Sequence, residues 1–305
     1  MGTTATGKTD IAVSLVKNNP YEIISVDSAM VYRGMNIGTA KPDVKTLAIA
    51  PHHLIDICDP TESYSVASFR LDAIRLIKEI HEREHIPLLV GGTMLYFHAL
   101  LNGLAELPKA DPTIRAEIEA EAAKKGWEAM HAELAVIDPE AAKKIHPNDP
   151  QRLQRALEVY RITGEPLTKL QTKHAQQTQP FNAYKFALIP ENRSWLHERI
   201  TQRFHSMLEQ GFVEEVSRFY KHEAMHPGLP SMRSVGYRQA WQYLEGELNY
   251  SEMVEKGIIA TRQLAKRQLT WMRSDKELTI IDPQKLSRDE IVSALELITK
   301  SIDVL

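Results

Sequence analysis

Eight residues near the amino end, Gly2, Thr3, Thr4, Ala5, Thr6, Gly7, Lys8 and Thr9, constrain the fold more than any other stretch. Glycine, four residues, glycine, lysine and a hydroxyl residue is the spacing that lets a backbone wrap a phosphate with successive N–H groups pointing inward. Lys8 then neutralises phosphate oxygens and Thr9 is placed to coordinate a magnesium ion. A helix starting near Lys8 turns its positive dipole end toward the anion. Such a loop normally follows a buried strand, yet the first glycine here comes one residue after the sequence starts. The expectation is a sheet that lacks this leading strand.

The rest of the chain supplies a sheet. Apolar runs bounded by turn residues occur at 22–26, 54–57, 86–90, 186–189 and 278–281, and each reads as a buried strand. Between the early runs lies 66–83, where Phe69, Ala73, Leu76, Ile77 and Ile80 recur at helical spacing. Alternating strand and helix predicts an α/β fold with a parallel sheet and helices packed on its faces. From about 108 to 180 the composition turns to Ala, Glu, Lys and Arg with helical periodicity, which predicts an all-helical insertion. The run at 186–189 then resumes the sheet, and helices are expected at 195–219 and 251–273. The expected organisation is a P-loop core in two parts, 1–110 and 184–305, the second ending in a basic helix, with a helical insertion domain at 111–183.

A net charge of -3 argues against coating nucleic acid or anionic membrane through bulk charge, although local basic patches remain open. The single cysteine, Cys58, excludes an internal disulfide and a cysteine-rich metal site, and its alternating neighbourhood predicts burial in a strand. There is neither an apolar stretch of spanning length nor a signal-peptide pattern, so a cytoplasmic monomer without membrane attachment is expected. His52, His53, His197, His205, His222 and His226 lack metal-pair spacing and read as structural or surface residues.

Several residues around the loop carry chemistry. The run at 22–26 ends in Asp27 and Ser28, and ligands of parallel sheets gather at the carboxyl ends of strands. Asp27 there serves either as magnesium ligand or proton acceptor, or merely caps a turn. The run at 86–90 ends in Gly91, Gly92 and Thr93, where Thr93 either donates to a phosphate oxygen or only caps the next helix. Asp149 and Pro150 open a helix on which Arg152 and Arg155 share a face beside Gln151 and Gln154, groups suited to RNA phosphates and base edges. Arg262, Lys266 and Arg273 cluster on another helix with Gln263 and Arg267 beside them and no acidic residue in the run, while Arg233 and Arg238 flank a glycine turn.

These residues resemble the tRNA dimethylallyltransferases, also called tRNA isopentenyltransferases, and the resemblance covers essentially the whole chain. The matching motifs are 2–9, with Thr3 where proline is common, then 23–34, Gly38-Thr39-Ala40-Lys41-Pro42, 90–96, 146–152, 235–239 and 266–271. The resemblance implies transfer of a dimethylallyl group from dimethylallyl diphosphate to the exocyclic amine of the adenosine following a tRNA anticodon. It implies Asp27 as general base, Thr93 and Arg115 in contact with the reacting groups or tRNA, and Thr9 helping to place magnesium. Diphosphate would lie on residues Gly2 to Thr9 with Arg233. The segments matched to tRNA contact are Asp27, Ser28, Ala29 and Met30; Gln151, Arg152, Leu153, Gln154 and Arg155; Arg233, Ser234, Val235, Gly236, Tyr237 and Arg238; and Lys266, Arg267, Gln268, Leu269, Thr270, Trp271, Met272 and Arg273. The insertion domain would grip the anticodon stem. Alternative readings are a P-loop kinase of a small metabolite, an adenylate prenyltransferase, and an RNA-binding protein with a degenerate nucleotide site.

Overall fold

A computed structural model describes residues 1–105, 107–174 and 182–300. The chain divides into two units, Met1–Phe97 with Ala183–Leu305, and His98–Asn182. The first unit begins with helix α1 (Lys8–Asn18), strand β1 (Tyr21–Val26), α2 (Val44–Ile49), β2 (His52–His53), α3 (Val66–Glu82) and β3 (Ile86–Gly91), and α4 (Met94–Asn102) runs across the division. The second unit contains α5 (Pro112–Lys125), α6 (Trp127–Ile137), α7 (Pro139–Lys144), α8 (Pro150–Thr163) and α9 (Leu167–His174). The chain then returns to the first unit through β4 (Phe186–Leu188), α10 (Arg193–Glu209), α11 (Phe212–Tyr220), α12 (Tyr237–Leu244), α13 (Tyr250–Ser274), β5 (Thr279–Ile281) and α14 (Arg288–Lys300). Residues 175–181 of the predicted insertion lie outside the described residues.

All strand pairs in the two sheets are parallel. β1 lies between β2 and β3, with Val26 opposite Gly91 at the carboxyl end. β4 and β5 form a separate two-stranded sheet instead of extending the first. Met1 and Gly2 run beside Leu188, with Gly2 in a single parallel bridge and the Leu188 N–H donating to the Met1 carbonyl at 3.1 Å. One bridge is too short to zip the two sheets into one ladder. Helix α1 joins them by packing, because Ile11 and Leu15 share one apolar cluster with Tyr21, Leu188 and Ile281.

The predicted strand at 54–57 does not form. Leu54 and Asp56 both take left-handed backbone angles, φ 63° and 56°, which no strand accommodates. The segment hangs instead on a neighbouring loop, with Asp56 N–H donating to Met30 O and both Ile57 and Cys58 donating to Val31 O. Cys58 is buried there, as its apolar neighbours predict. The single helix expected at 195–219 is two, broken at Gly211 with φ 93°. α3 follows its pattern closely: Ser65 accepts from the Ser68 N–H as its N-cap, and Phe69, Ala73, Leu76, Ile77 and Ile80 are all buried.

At the end of the first sheet opposite the 2–9 loop, Glu22 of β1 gathers three donor side chains. Arg83 donates through Nε and Nη2 at 2.9 and 2.8 Å, and His53 Nε2 and His85 Nδ1 each lie at 2.9 Å. The Arg83 hydrogen bonds, outweighing burial and helped by both histidines, lower the Glu22 carboxyl from 4.5 to about 2. A carboxyl depressed in the folded state contributes stability that is present above its unfolded pKa and lost as pH falls through the folded one. Urea unfolding should therefore show wild type more stable than Glu22→Gln at pH 6, with the gap closing between about pH 4.5 and 2. An unchanged gap at pH 2.5 would refute this.

The second unit has its own core of Ile118, Met130, Leu134, Leu153 and Leu157. Helix α8 starts as the sequence predicts: Asp149 caps it by accepting the Arg152 N–H, with Pro150 in the first turn.

Candidate active site

Residues 2–9 fold as a loop whose exit is set by Gly7, the N-cap residue of α1, at φ 83°. A side chain there would be strained, since this is left-handed backbone. Donors occupy the loop's outward carbonyls. Thr6 Oγ1 and Lys8 Nζ both donate to Thr3 O, at 2.8 and 3.1 Å, and Arg199 Nε donates to Ala5 O at 2.7 Å. Each bond ties down the negative end of a peptide dipole close to where an anion would rest. The Thr3 hydroxyl is buried without a partner.

Three charged side chains converge with Lys8. Burial first, then repulsion by Arg203, lowers the Lys8 ammonium to about 8, against the opposing pull of Asp27. Arg203 is likewise lowered by burial and by Arg199, and supported by Asp27. Arg203 also donates to Thr39 O at 3.4 Å, and the Arg199 guanidinium lies 4.9 Å over the Trp195 ring. Lys8 and Arg203 are thus both drawn toward one carboxylate, Asp27, while Arg199 stands beside Arg203 and on the loop carbonyl of Ala5. Crowded, partly desolvated cations of this kind are destabilising by themselves and are offset by binding a multiply charged anion.

The carboxylate stands where the strand end puts it. Asp27 Oδ1 accepts from the N–H groups of Ala29 and Met30 at 2.9 and 3.2 Å, so the turn-capping role is realised, leaving Oδ2 for other chemistry. Thr93 is brought to the same place because β1 and β3 end in register. Its Oγ1 accepts the Ser28 N–H at 3.0 Å and its own N–H donates to Val26 O. Of the two glycines before it, Gly91 is obligatory on steric grounds, since a Cβ there would lie 2.0 Å from Val26 O, whereas a Cβ at Gly92 would press on the Gln268 amide at 2.5 Å.

The basic segments divide between surface and core. On α13, Lys266, Arg267, Thr270, Trp271 and Arg273 are exposed, whereas Gln268, Leu269 and Met272 are buried. Arg262 turns away from the exposed group and donates to Thr201 Oγ1. Arg233 and Arg238 are exposed, Ser234 and Val235 half-buried, and Gly236 and Tyr237 buried. The Tyr237 hydroxyl donates to Glu215, which also accepts the N–H groups of Asn36, Ile37 and Gly38. Arg233 therefore lies on the segment that starts α12, and Tyr237 anchors the 36–38 loop from below.

Arg115 and the 151–155 segment belong to the helical unit. Arg115 makes a two-pronged pair with the fully buried Glu158, at 2.8 and 3.2 Å, and Arg155 joins the same carboxylate at 2.6 Å while bonding Pro108 O. Burial raises the Glu158 pKa, and the two arginines outweigh it to leave the group lowered. Leu153 is in the core and Gln154 binds Glu119, so only Gln151 and Arg152 of that segment present side chains at the surface. The shared free face expected for Arg152 and Arg155 is absent because Glu158 draws Arg155 inward.

A strand-end carboxylate beside the 2–9 loop, with Lys8 and Arg203 drawn toward it, calls for comparison with known proteins, and the chain matches the IPP transferase family over residues 30–275. The chain belongs to the IPP transferase family. A tRNA dimethylallyltransferase of Thioalkalivibrio sulfidiphilus is 57% identical over 96% of this chain and 92% of that protein. Among solved structures, the full-length tRNA isopentenylpyrophosphate transferase of Bacillus halodurans is 38% identical with a TM-score of 0.72, covering 98% of this chain and 94% of the other. A eukaryotic dimethylallyltransferase acting on tRNA is 27% identical with a TM-score of 0.82, over 99% of this chain and 77% of that one. In this IPP transferase member the fold brings to the 2–9 loop two groups that pattern reading passes over, Arg199 and Arg203. Their signal is present: they stand four residues apart, flanking the buried stripe of Leu196, Ile200, Phe204 and Met207 on α10.

Proposed function

We propose that this chain transfers a dimethylallyl group from dimethylallyl diphosphate to the N6 amine of the adenosine on the 3′ side of a tRNA anticodon, releasing diphosphate. The observation that carries it is the 2–9 loop itself, whose carbonyls take Lys8 at Thr3 and Arg199 at Ala5, with the Asp27 carboxylate held on the adjoining strand end by the Ala29 and Met30 N–H groups. A P-loop NTPase-like core thus serves a prenyl diphosphate. The adenine nitrogen attacks the allylic carbon, the bond from that carbon to the diphosphate oxygen breaks, and Asp27 takes the amine proton. Delocalisation of its lone pair into the ring makes this amine a poor nucleophile, which is why proton removal assists. Lys8, the arginines and the loop N–H groups hold the charge that grows on the leaving diphosphate.

Magnesium fits this donor set. Among the described residues no cluster of three or more acidic, histidine or cysteine groups could hold a metal, so an ion here would take one or two protein oxygens, the Thr9 hydroxyl and the second oxygen of Asp27 being the candidates, with substrate phosphates and water completing its shell. When bound, the ion neutralises diphosphate charge. Lys266, Arg267, Arg273, Arg238 and Arg152 supply exposed cations for RNA phosphates, and the helical unit grips the anticodon stem. The adenosine leaves its stack to reach Asp27. No helix among the described residues is long and apolar enough to cross a membrane.

The test is transfer of label from radiolabelled dimethylallyl diphosphate, with magnesium, to unmodified tRNA, with AMP as competing acceptor. Label is expected in the RNA at the anticodon-loop adenosine. Label in AMP alone, or ATP consumption with a small acceptor instead, overturns the reading.

A further inference from the structure

Helix α13 touches the phosphate loop from its buried side. The Gln268 Oε1 accepts the Thr4 N–H at 3.1 Å, and its Nε2 donates to Gly92 O at 2.8 Å. The two partners fix which end of the amide is which, because an N–H requires the oxygen and a carbonyl requires the nitrogen. Gln268 is 7% exposed, so neither bond is open to exchange with bulk water.

The Thr4 N–H shares one peptide plane with the Thr3 carbonyl, and a trans plane points the two groups in opposite directions. Here the carbonyl takes Thr6 Oγ1 and Lys8 Nζ on one side while the N–H takes Gln268 on the other. Three bonds thus fix the plane that decides where the Lys8 ammonium rests. The same amide holds the Gly92 carbonyl, whose turn carries Thr93 and, through it, the Ser28 N–H next to Asp27. On the far side of the same helical turns, Lys266, Arg267, Thr270 and Arg273 face outward.

We propose that Gln268 is a positioning residue: its amide staples the phosphate loop at Thr4 to the Gly92 turn, setting the donor site and the strand-end groups in one register. It acts through the loop and does not contact RNA, although its neighbours Lys266 and Arg267 are exposed for that purpose. The inference rests on the donor reading given above for the 2–9 loop. Removing the amide leaves the Thr4 N–H and Gly92 C=O without partners in a dry site, and the peptide plane becomes free to turn. Donor affinity falls while the outer face of α13 is untouched.

Gln268→Met fills the same space and removes both bonds. In this variant the dissociation constant for inorganic diphosphate should rise about tenfold or more, equivalent to losing one buried hydrogen-bond pair. KM for dimethylallyl diphosphate should rise in parallel, with tRNA affinity held within about twofold. Hydrogen exchange of the amino-terminal peptide should quicken in the substrate-free protein by more than that of the other core peptides, even though two unpaired groups lower the melting temperature somewhat. Gln268→Asn, whose amide stops one methylene short, gives the same pattern should the Met variant fail to fold. Loss of tRNA affinity, or amino-terminal amides that exchange as in wild type, overturns the proposal. Because the exchange measurement needs no substrate, failure of wild type to bind any diphosphate sinks the donor reading separately, and exchange alone then decides the staple.

Discussion

Asp27→Asn should lower kcat for prenyl transfer by about 10²–10⁴-fold, the range for removing a positioned general base. The substitution is nearly isosteric, and the amide oxygen still accepts from Ala29 and Met30, so the turn after β1 persists. What is lost is the capacity to take a proton at the second oxygen. Diphosphate affinity should hold or tighten, because Asp27 is the carboxylate that partly neutralises Lys8 and Arg203. A fall in kcat with tighter diphosphate binding is a signature that unfolding cannot mimic. Single-turnover transfer with saturating tRNA, alongside calorimetric diphosphate binding, measures both. A variant with wild-type kcat would remove Asp27 from the chemistry.

Lys8→Ala should cost about 10²–10³-fold in kcat/KM, as expected when one preorganised charge is taken from a leaving group. Its pH dependence makes the prediction sharper. With burial and Arg203 lowering the Lys8 ammonium to about 8, the free enzyme loses this cation as pH rises through that value. The wild-type kcat/KM profile should therefore carry a falling limb near pH 8, absent from Lys8→Ala. A wild-type profile flat to pH 9.5 would mean that Lys8 keeps its proton and that the crowding of cations in this site is less than the geometry implies.

Much of this was legible because local patterns and local forces agree. β1, an apolar run interrupted by Glu22 and Ser25, is buried apart from Glu22 as a central parallel strand requires, whereas β3, read as buried from an equally apolar run, lies at the sheet edge and is only half-buried up to Gly91. α3 and α8 carry their own caps, Ser65 and Asp149, which accept N–H groups within their own first turn. The segment at 54–57 has an equally good alternating pattern and still is not a strand. Its backbone bonds go to Met30 and Val31, partners distant in sequence, and no periodicity records where those partners will be. The break at Gly211 was visible as a glycine, yet only the packing of Phe212 into a core with Phe204 and Tyr237 shows why the chain turns there.

The residues of the site divide in the same way. The loop spacing, the carboxylate of Asp27 and the hydroxyl of Thr93 are set by chain order, since each stands at the end of its own strand or at the start of its own helix. Charge runs were less informative. Lys266 and Gln268 are two residues apart in one motif, and the helix sends one to solvent and the other into the loop.

Spacing and polarity act over a few residues, and they suffice to mark the 2–9 loop, the parallel strands β1, β3, β4 and β5 and the helical character of the middle of the chain. That Arg199 and Arg203 gather near Lys8, that Arg155 is taken by Glu158 and that Gln268 faces inward follow from the fold instead. Those outcomes depend on which distant group satisfies a buried charge or amide. A buried polar atom must find a partner, and the partner is supplied by the fold.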